Sequence, residues 1–127
     1  MVLRRYAQII GVVLIVVGIV GLVLGNQLFL GILNIDIVED IAHLATGALY
    51  SYVGFGRTDL ATARNVVLAL GIIYLVIGIL GFVVPMMFGL IPHGYTIFDD
   101  LLHLALGVLS LVVALFYAPG GATAARS

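Results

Sequence analysis

Two histidines, each preceded three residues earlier by an aspartate, offer the widest scope for chemistry in this sequence. The pairs are Asp40 with His43 and Asp100 with His103. Because residues three apart share one face of a helix, each carboxylate can contact its imidazole. Two carboxylates and two imidazoles can bind one divalent metal ion, and these four residues are the candidate ligands. The two histidines alone could instead be axial ligands of a haem or a chlorophyll-type pigment.

The same side chains also have a structural interpretation. Acids in the first turn of a helix accept hydrogen bonds from free backbone N–H groups and favour the positive end of the helix dipole. A histidine one turn later can be held by the same carboxylate, so the motif also predicts a polar clamp that needs no ion. The members of this clamp would be Glu39, Asp40, His43, Asp99, Asp100 and His103.

The composition determines what kind of protein carries these residues. Of 127 residues, 64% are hydrophobic and 9% are charged, with a mean hydropathy of +1.33, which excludes a water-soluble globular domain. About 20 apolar residues cross a bilayer as a helix. Four such stretches cover residues 6–24, 37–55, 64–84 and 97–117. We therefore predict one all-α membrane domain, residues 1–127, with four transmembrane helices. Cysteine is absent, which excludes disulfides and thiolate metal sites.

The sequence contains an internal repeat. Shifting the chain by 60 residues places Arg4 on Arg64 and His43 on His103. Each copy contains two helices, so the copies are expected to have parallel topology about a pseudo-two-fold axis along the membrane normal. The predicted segments are 4–57 and 64–117 for the two helical hairpins and 118–127 for a cytoplasmic tail.

Glycines at helical spacing predict where the helices approach each other. In the first apolar stretch they recur every seven residues, and small residues let helix backbones come close together in a membrane. The packing glycines are expected to be Gly11, Gly18, Gly25, Gly47, Gly71, Gly78 and Gly107.

The arginines indicate the orientation. They all fall on one side of the predicted bilayer, at positions Arg4, Arg5, Arg57, Arg64 and Arg126. Because positive charge is retained in the cytoplasm, both termini are expected on the cytoplasmic side of a bacterial inner membrane, with most acids at the opposite end. No basic tract for nucleic acid is present. The apolar connections at 27–33 and 86–91 are expected to lie along the outer membrane surface, where they could contact another subunit.

The second helix of each repeat opens on an acid, two residues, and then His-Leu-x-x-Gly, at His43-Leu-Ala-Thr-Gly47 and His103-Leu-Ala-Leu-Gly107. With this motif the chain resembles a bacterial family of small four-helix membrane proteins of unknown function. In that family asparagine commonly stands in place of Asp40 and Asp100. The resemblance therefore favours a structural role for these polar groups over metal or proton binding, and it implies no activity.

From these observations we predict a non-catalytic accessory or scaffolding subunit of a larger membrane complex, in contact with the lipid bilayer and with other membrane proteins. The sequence contains no G-x-S-x-G or H-E-x-x-H motif, no phosphate-binding glycine loop and no dinucleotide fingerprint. One alternative is a tetrapyrrole carrier in a photosynthetic or respiratory complex, with His43 and His103 as axial ligands. The other alternative is a cation-binding membrane protein. No cofactor is the leading expectation, and a tetrapyrrole or a divalent metal is the alternative.

Overall fold

A computed structural model describes residues 2–117 of the chain, and the predicted tail at 118–127 lies outside them. Within this range the structure has four α-helices, which confirms the all-helical prediction. They are α1 (Val2–Leu24), α2 (Ile37–Phe55), α3 (Leu60–Val83) and α4 (Ile97–Phe116). The connection from α1 to α2 contains two antiparallel strands, β1 (Gln27–Phe29) and β2 (Leu33–Ile35), and a 3-10 turn (Met87–Gly89) follows α3.

Three helices of the described chain are long and apolar enough to cross a membrane: α1, α3 and α4, with 23, 24 and 20 residues. The remaining helix, α2, has 19 residues and carries two acids, Glu39 and Asp40, in its first turn. Much of the aliphatic surface of the bundle is exposed, as on the outer face of α1. This surface is expected of a protein surrounded by lipid.

Polar caps define where three of the helices begin. The Asp36 side chain accepts from the backbone N–H of Glu39 at the start of α2, and Asp59 accepts from Thr62 at the start of α3. Thr96 begins α4. The helix α3 thus starts four residues before the predicted position 64. The prediction was based on the apolar run, which does not include the polar first turn that Asp59 caps.

Most helix contacts lie within the pairs α1 with α2 and α3 with α4, at glycines. A Cβ added at six of the predicted packing glycines would come within 3.0 Å of the facing helix. These are Gly11, Gly18, Gly47, Gly71, Gly78 and Gly107. The contacts recur at the 60-residue offset, since Gly18 faces Leu44 and Gly78 faces Leu104.

Gly25 has a different role from the other predicted packing glycines. It follows the last residue of α1 with a φ of +79°, and nothing lies within 4 Å of the position that a Cβ would take. Its N–H donates to the carbonyl of Gly21. Gly25 therefore ends the helix, because a positive φ costs glycine little, and it does not pack against a neighbour.

The two apolar connections lie at the end of the molecule where α2 and α4 begin. We call this end, with Asp36, Glu39, Asp40, Asp99 and Asp100, the acidic end. The first connection is a hairpin with Leu30 at its tip, and the second carries Phe88; these side chains are 78% and 84% exposed. At the opposite end, Arg4 donates to the carbonyl of Val53. The sequence did not predict the hairpin, since its strands have only three residues each.

A buried hydroxyl cluster joins the two helix pairs nearer the arginine end. The Ser110 Oγ lies 2.7 Å from both the Tyr6 and the Tyr50 hydroxyls. Ser110 is fully buried, so these hydrogen bonds replace those that the hydroxyls would make to water.

Replacing Ser110 by alanine is expected to lower the free energy of unfolding by about 2 kcal/mol, because the buried Tyr50 hydroxyl loses its partner and the half-buried Tyr6 hydroxyl keeps only a 3.5 Å contact to the carbonyl of Leu106. The matched control is Ser51→Ala. The Ser51 Oγ is also buried but has no hydrogen-bond partner among the described residues, so its loss should change stability by less than about 0.5 kcal/mol. Denaturant unfolding followed by circular dichroism in micelles checks both variants, and equal effects would contradict the assigned hydrogen bonds.

Candidate metal centre at the acidic end

One carboxylate and two imidazoles converge at the acidic end. The Oε1 of Glu39 lies 3.1 Å from the Nε2 of His103 and 3.8 Å from the Nε2 of His43. A ligand atom from each of these three residues lies within 4.8 Å of the other two. We call this group the Glu39 cluster. It combines residues of both halves of the chain, because His103 belongs to α4 and the other two to α2.

The local fold places these side chains. Asp36 caps α2 and so sets the first turn, in which Glu39 is the third residue. His43 follows four residues later on the same helical face. His103 stands at the equivalent height in α4, and its side chain is 9% exposed against 15% for that of His43. Glu39 and His103 are therefore buried and His43 is half-buried, and Glu39 spans the boundary between the two helix pairs.

Asn34, in β2, holds the carboxylates of the acidic end in place. Its side-chain amide donates to Asp36 at 2.6 Å and to the Oε2 of Glu39 at 3.0 Å. Its backbone N–H donates to both oxygens of Asp99, at 3.1 and 3.0 Å. The short hairpin thus orients Glu39 and ties the first half of the chain to the start of α4.

Aromatic rings enclose His103. The Tyr95 ring lies 5.0 Å from the imidazole in an edge contact, and the Tyr74 ring lies 5.8 Å away. Burial, together with the negative charges of Glu39, Asp36 and Asp99, raises the pKa of the Tyr95 hydroxyl. Tyr95 therefore stays protonated beside these carboxylates.

The second ring nitrogens of the two histidines have no partner. The Nδ1 atoms of His43 and His103 are buried without a hydrogen bond among the described residues, as is the Oδ1 of Asn34. Buried polar atoms are normally paired. Three unsatisfied polar atoms thus lie beside the Glu39 cluster.

The predicted ligands Asp40 and Asp100 occupy different places from the histidines. A Cβ on Gly21 would collide with the Asp40 carboxylate, and a Cβ on Gly81 would collide with that of Asp100. These two aspartates therefore fill notches in α1 and α3. Of the four predicted ligands, the structure brings His43 and His103 together. The carboxylate beside them belongs to Glu39, whereas the sequence predicted Asp40 and Asp100.

The remaining clamp member, Asp99, accepts hydrogen bonds from backbone N–H groups. It forms a capping box with Thr96 at the start of α4 and accepts from Asn34. Its equivalent at the 60-residue offset is Glu39. The longer glutamate extends to the histidines, whereas the shorter aspartate caps its own helix.

Sequence reasoning did not identify Asn34, Tyr74 or Tyr95 as site residues. Asn34 is a lone amide in an apolar connection, which is a usable signal, since a polar side chain there needs a partner. Neither tyrosine has such a signal, because aromatic residues near the ends of apolar helices are common at membrane interfaces.

Two cavities adjoin the cluster. The larger, of about 600 Å³, lies between α1 and α4 and is lined mainly by aliphatic side chains, with Asn34, Glu39 and the two histidines at one end. The smaller, of about 100 Å³, lies on the side of Tyr74 and Tyr95. Both cavities share Glu39, His43 and His103 in their lining, so the cluster separates the two spaces.

Comparison with protein-family models gives one match, a domain of unknown function (DUF4383), which covers residues 4–116. Comparison with curated proteins and with solved structures gives no match.

Proposed function

The chain belongs to the DUF4383 family, whose description assigns no activity, and we propose from the site itself that it is a membrane protein that binds one divalent transition-metal ion at the Glu39 cluster. The observation that carries this proposal is the convergence of one carboxylate and two imidazoles from both halves of the chain. Imidazole and carboxylate donors suit zinc and its neighbours in the first transition row.

The two distances from the Glu39 carboxylate to the imidazoles fit an ion, and all three ligand atoms lie within 4.8 Å of one another. Ligands at about 2.0–2.1 Å from a tetrahedral zinc stand about 3.4 Å from each other. The two distances from the Glu39 Oε1, 3.1 and 3.8 Å, bracket that value. Three protein ligands leave a fourth position for water or another small ligand. Asn34, which donates to the Oε2 of Glu39, would orient the carboxylate as outer partners do in metal sites.

A single ion is favoured over a tetrapyrrole. A flat macrocycle between the two imidazoles would have to displace the Glu39 carboxylate, which lies within 3.8 Å of both. It would also have to displace the Tyr95 ring from its edge contact with His103. Binding one ion requires no such displacement.

We further propose that all four helices cross a bacterial inner membrane as two parallel-topology repeats. The contacts that recur at the 60-residue offset support the repeat: Gly21 with Asp40, and Gly81 with Asp100. Pairing of α2 with α1 along its length supports a spanning role for α2. The arginine distribution favours cytoplasmic termini, which places the Glu39 cluster at the outer edge of the bilayer.

The accessory role in a larger membrane complex remains a proposal alongside metal binding, with no catalytic step. The observation that favours it is the exposure of Leu30 and Phe88 at the tips of the two connections. A photo-crosslinking residue at either position should capture a membrane subunit in native membranes. Crosslinks to lipid alone would exclude these tips as the contact.

The metal site is tested by equilibrium dialysis of the purified protein against zinc, with the metal quantified per chain. We expect one ion for the parent protein. His43→Ala and Glu39→Gln should each weaken binding at least about tenfold, because each removes or weakens one ligand. The matched control is His93→Ala, since His93 is an exposed histidine of the second connection.

His43→Ala is the more informative variant, because His43 makes only the longer contact to Glu39 and its loss should leave the fold intact. Equal zinc binding by all four proteins would overturn the metal proposal. No zinc bound by the parent would overturn it as well, and would leave the cluster as a hydrogen-bonded clamp.

A further inference from the structure

The chain joins the two helix pairs at one end of the molecule only. The segment from α2 to α3, residues 56–59, is the single connection between the pairs in the described chain, and it lies at the arginine end, opposite the acidic end. The connections at the acidic end, residues 25–36 and 84–96, each join two helices of the same pair. The covalent structure therefore holds the pairs together at the arginine end and leaves them free to separate at the acidic end.

The hydrophobic core that contains residues of all four helices also lies towards the arginine end. Each helix contributes to it, and Leu3, Val53, Val67 and Val113 are all at most 8% exposed. In a membrane, close packing of side chains is a main source of helix association. This core therefore fixes the two pairs relative to each other at the arginine end.

The helices are packed differently near the acidic end. In the third of each helix closest to that end, the buried residues of α1 and α3 are glycines, and those of α2 and α4 are acids and His103. The glycines are Gly18, Gly21, Gly78 and Gly81, and each faces a residue of its own helix pair. Apolar packing between the pairs is thus absent from these parts of the described helices.

Polar contacts close the acidic end instead. The Oε1 of Glu39 lies 3.1 Å from the Nε2 of His103, and the backbone N–H of Asn34 donates to Asp99. Cavities of about 600 and 100 Å³ adjoin the Glu39 cluster, so little packing would be lost if the pairs moved apart there.

We propose that the acidic end opens and closes by a hinge motion about the core at the arginine end, and that a metal ion at the Glu39 cluster holds it closed. This inference rests on the proposed metal site and adds its effect on the fold. Glu39 and His43 belong to the first pair and His103 to the second, so an ion bound by all three bridges the pairs. Opening separates His103 from the other two ligands, and a ligand that binds one state more tightly shifts the population towards that state.

The test measures the distance between the pairs by pulsed electron paramagnetic resonance. The sequence contains no cysteine, so nitroxide labels attach only to introduced ones. Val23→Cys and Val83→Cys lie in the last turns of α1 and α3, at the acidic end, and these residues are 80% and 72% exposed. We expect removal of zinc by a chelator to lengthen the distance between the labels by about 2 Å or more, as in other domain rearrangements.

Two further label pairs are the matched controls. Val23→Cys with Leu49→Cys lies within the first helix pair, and Ile9→Cys with Leu115→Cys spans the two pairs nearer the arginine end; all four positions are exposed. Zinc removal should leave both distances unchanged. An equal change in either control would overturn the hinge, because it would mean that the whole bundle expands.

Two ligand variants test whether the ion acts by bridging. His43→Ala retains Glu39 and His103, one ligand from each pair, whereas His103→Ala retains ligands of α2 only. The comparison is made at zinc concentrations that give equal occupancy of both variants in equilibrium dialysis. Zinc should shorten the distance between positions 23 and 83 in His43→Ala but not in His103→Ala, and equal responses would overturn bridging.

Dialysis and distance together separate this inference from the metal site on which it rests. Zinc bound by the parent protein, with an unchanged distance between positions 23 and 83 after its removal, would overturn the hinge and leave the metal site in place. Absence of bound zinc would overturn the metal site, and the inference with it.

Discussion

Gly107→Leu should lower the free energy of unfolding by about 3 kcal/mol or more, because α3 and α4 touch through backbone at this position. A Cβ at Gly107 would stand 2.6 Å from the backbone nitrogen of Leu75 and 2.9 Å from the carbonyl oxygen of Gly71. Neither atom can move aside without separating the helices. Overpacking of a close contact typically costs about 1–3 kcal/mol, occasionally more.

Gly107→Ala is the more informative change, because an open site and a close helix contact predict changes in stability of opposite sign. Alanine favours a helix over glycine by about 1 kcal/mol, so an open site would be stabilised by this change. At Gly107 we expect a net loss of about 1 kcal/mol, since the clash exceeds the helix preference. The control is Val108→Leu, which lies on the same helix and is 48% exposed. Denaturant titration in micelles measures all three, and stabilisation by Gly107→Ala would refute the close helix contact.

Glu39→Ala is expected to cost about 3 kcal/mol in metal-free buffer, because the Glu39 carboxylate contacts His43, His103 and Asn34 at once. Its loss removes the partner of His103 at 3.1 Å and that of the Asn34 amide at 3.0 Å. Glu39 is 5% exposed, so water does not readily replace it. Leaving a buried hydrogen-bonding group without its partner typically costs about 1–3 kcal/mol, and two groups are affected here.

Two comparisons assign the effect of Glu39→Ala to its contacts. Glu39→Gln keeps an acceptor oxygen of the same length and should lose less than half as much stability. In a double-mutant cycle with His103→Ala, we expect a coupling of about 1–2 kcal/mol, because the two side chains share a contact. A coupling near zero would mean that Glu39 and His103 act independently, against the observed geometry.

Helix positions were largely predictable from hydrophobicity, since lipid requires long apolar helices. The predicted range 37–55 for α2 coincides with the observed helix, Ile37–Phe55. Helix starts were less predictable where the first turn is polar. The helix α1 begins at Val2 and includes Arg4, whose side chain donates across to α2. An arginine that pairs with a neighbouring helix is not distinguishable in sequence from one that faces water.

The site was predictable in part. The two histidines could be placed at equal height from the repeat, but the choice between Glu39 and Asp40 could not be made. Both lie within one turn of His43, and helical spacing permits either contact. The decision depends on Gly21, which leaves a notch for Asp40 on α1, and on the extra methylene of Glu39 relative to Asp99. The repeat favoured Asp40 over Glu39 as a ligand, because the equivalent of Asp40 at the 60-residue offset, Asp100, is the same residue type.

Zinc K-edge X-ray absorption of the zinc-loaded protein shows whether the ion lies at the Glu39 cluster. We expect a first shell of nitrogen and oxygen atoms at about 2.0–2.1 Å, with the outer-shell scattering of two imidazoles. His43→Ala should reduce that imidazole scattering to one ring, and His93→Ala should leave two. A first shell without imidazole scattering, unchanged in His43→Ala, would contradict a metal centre at Glu39, His43 and His103.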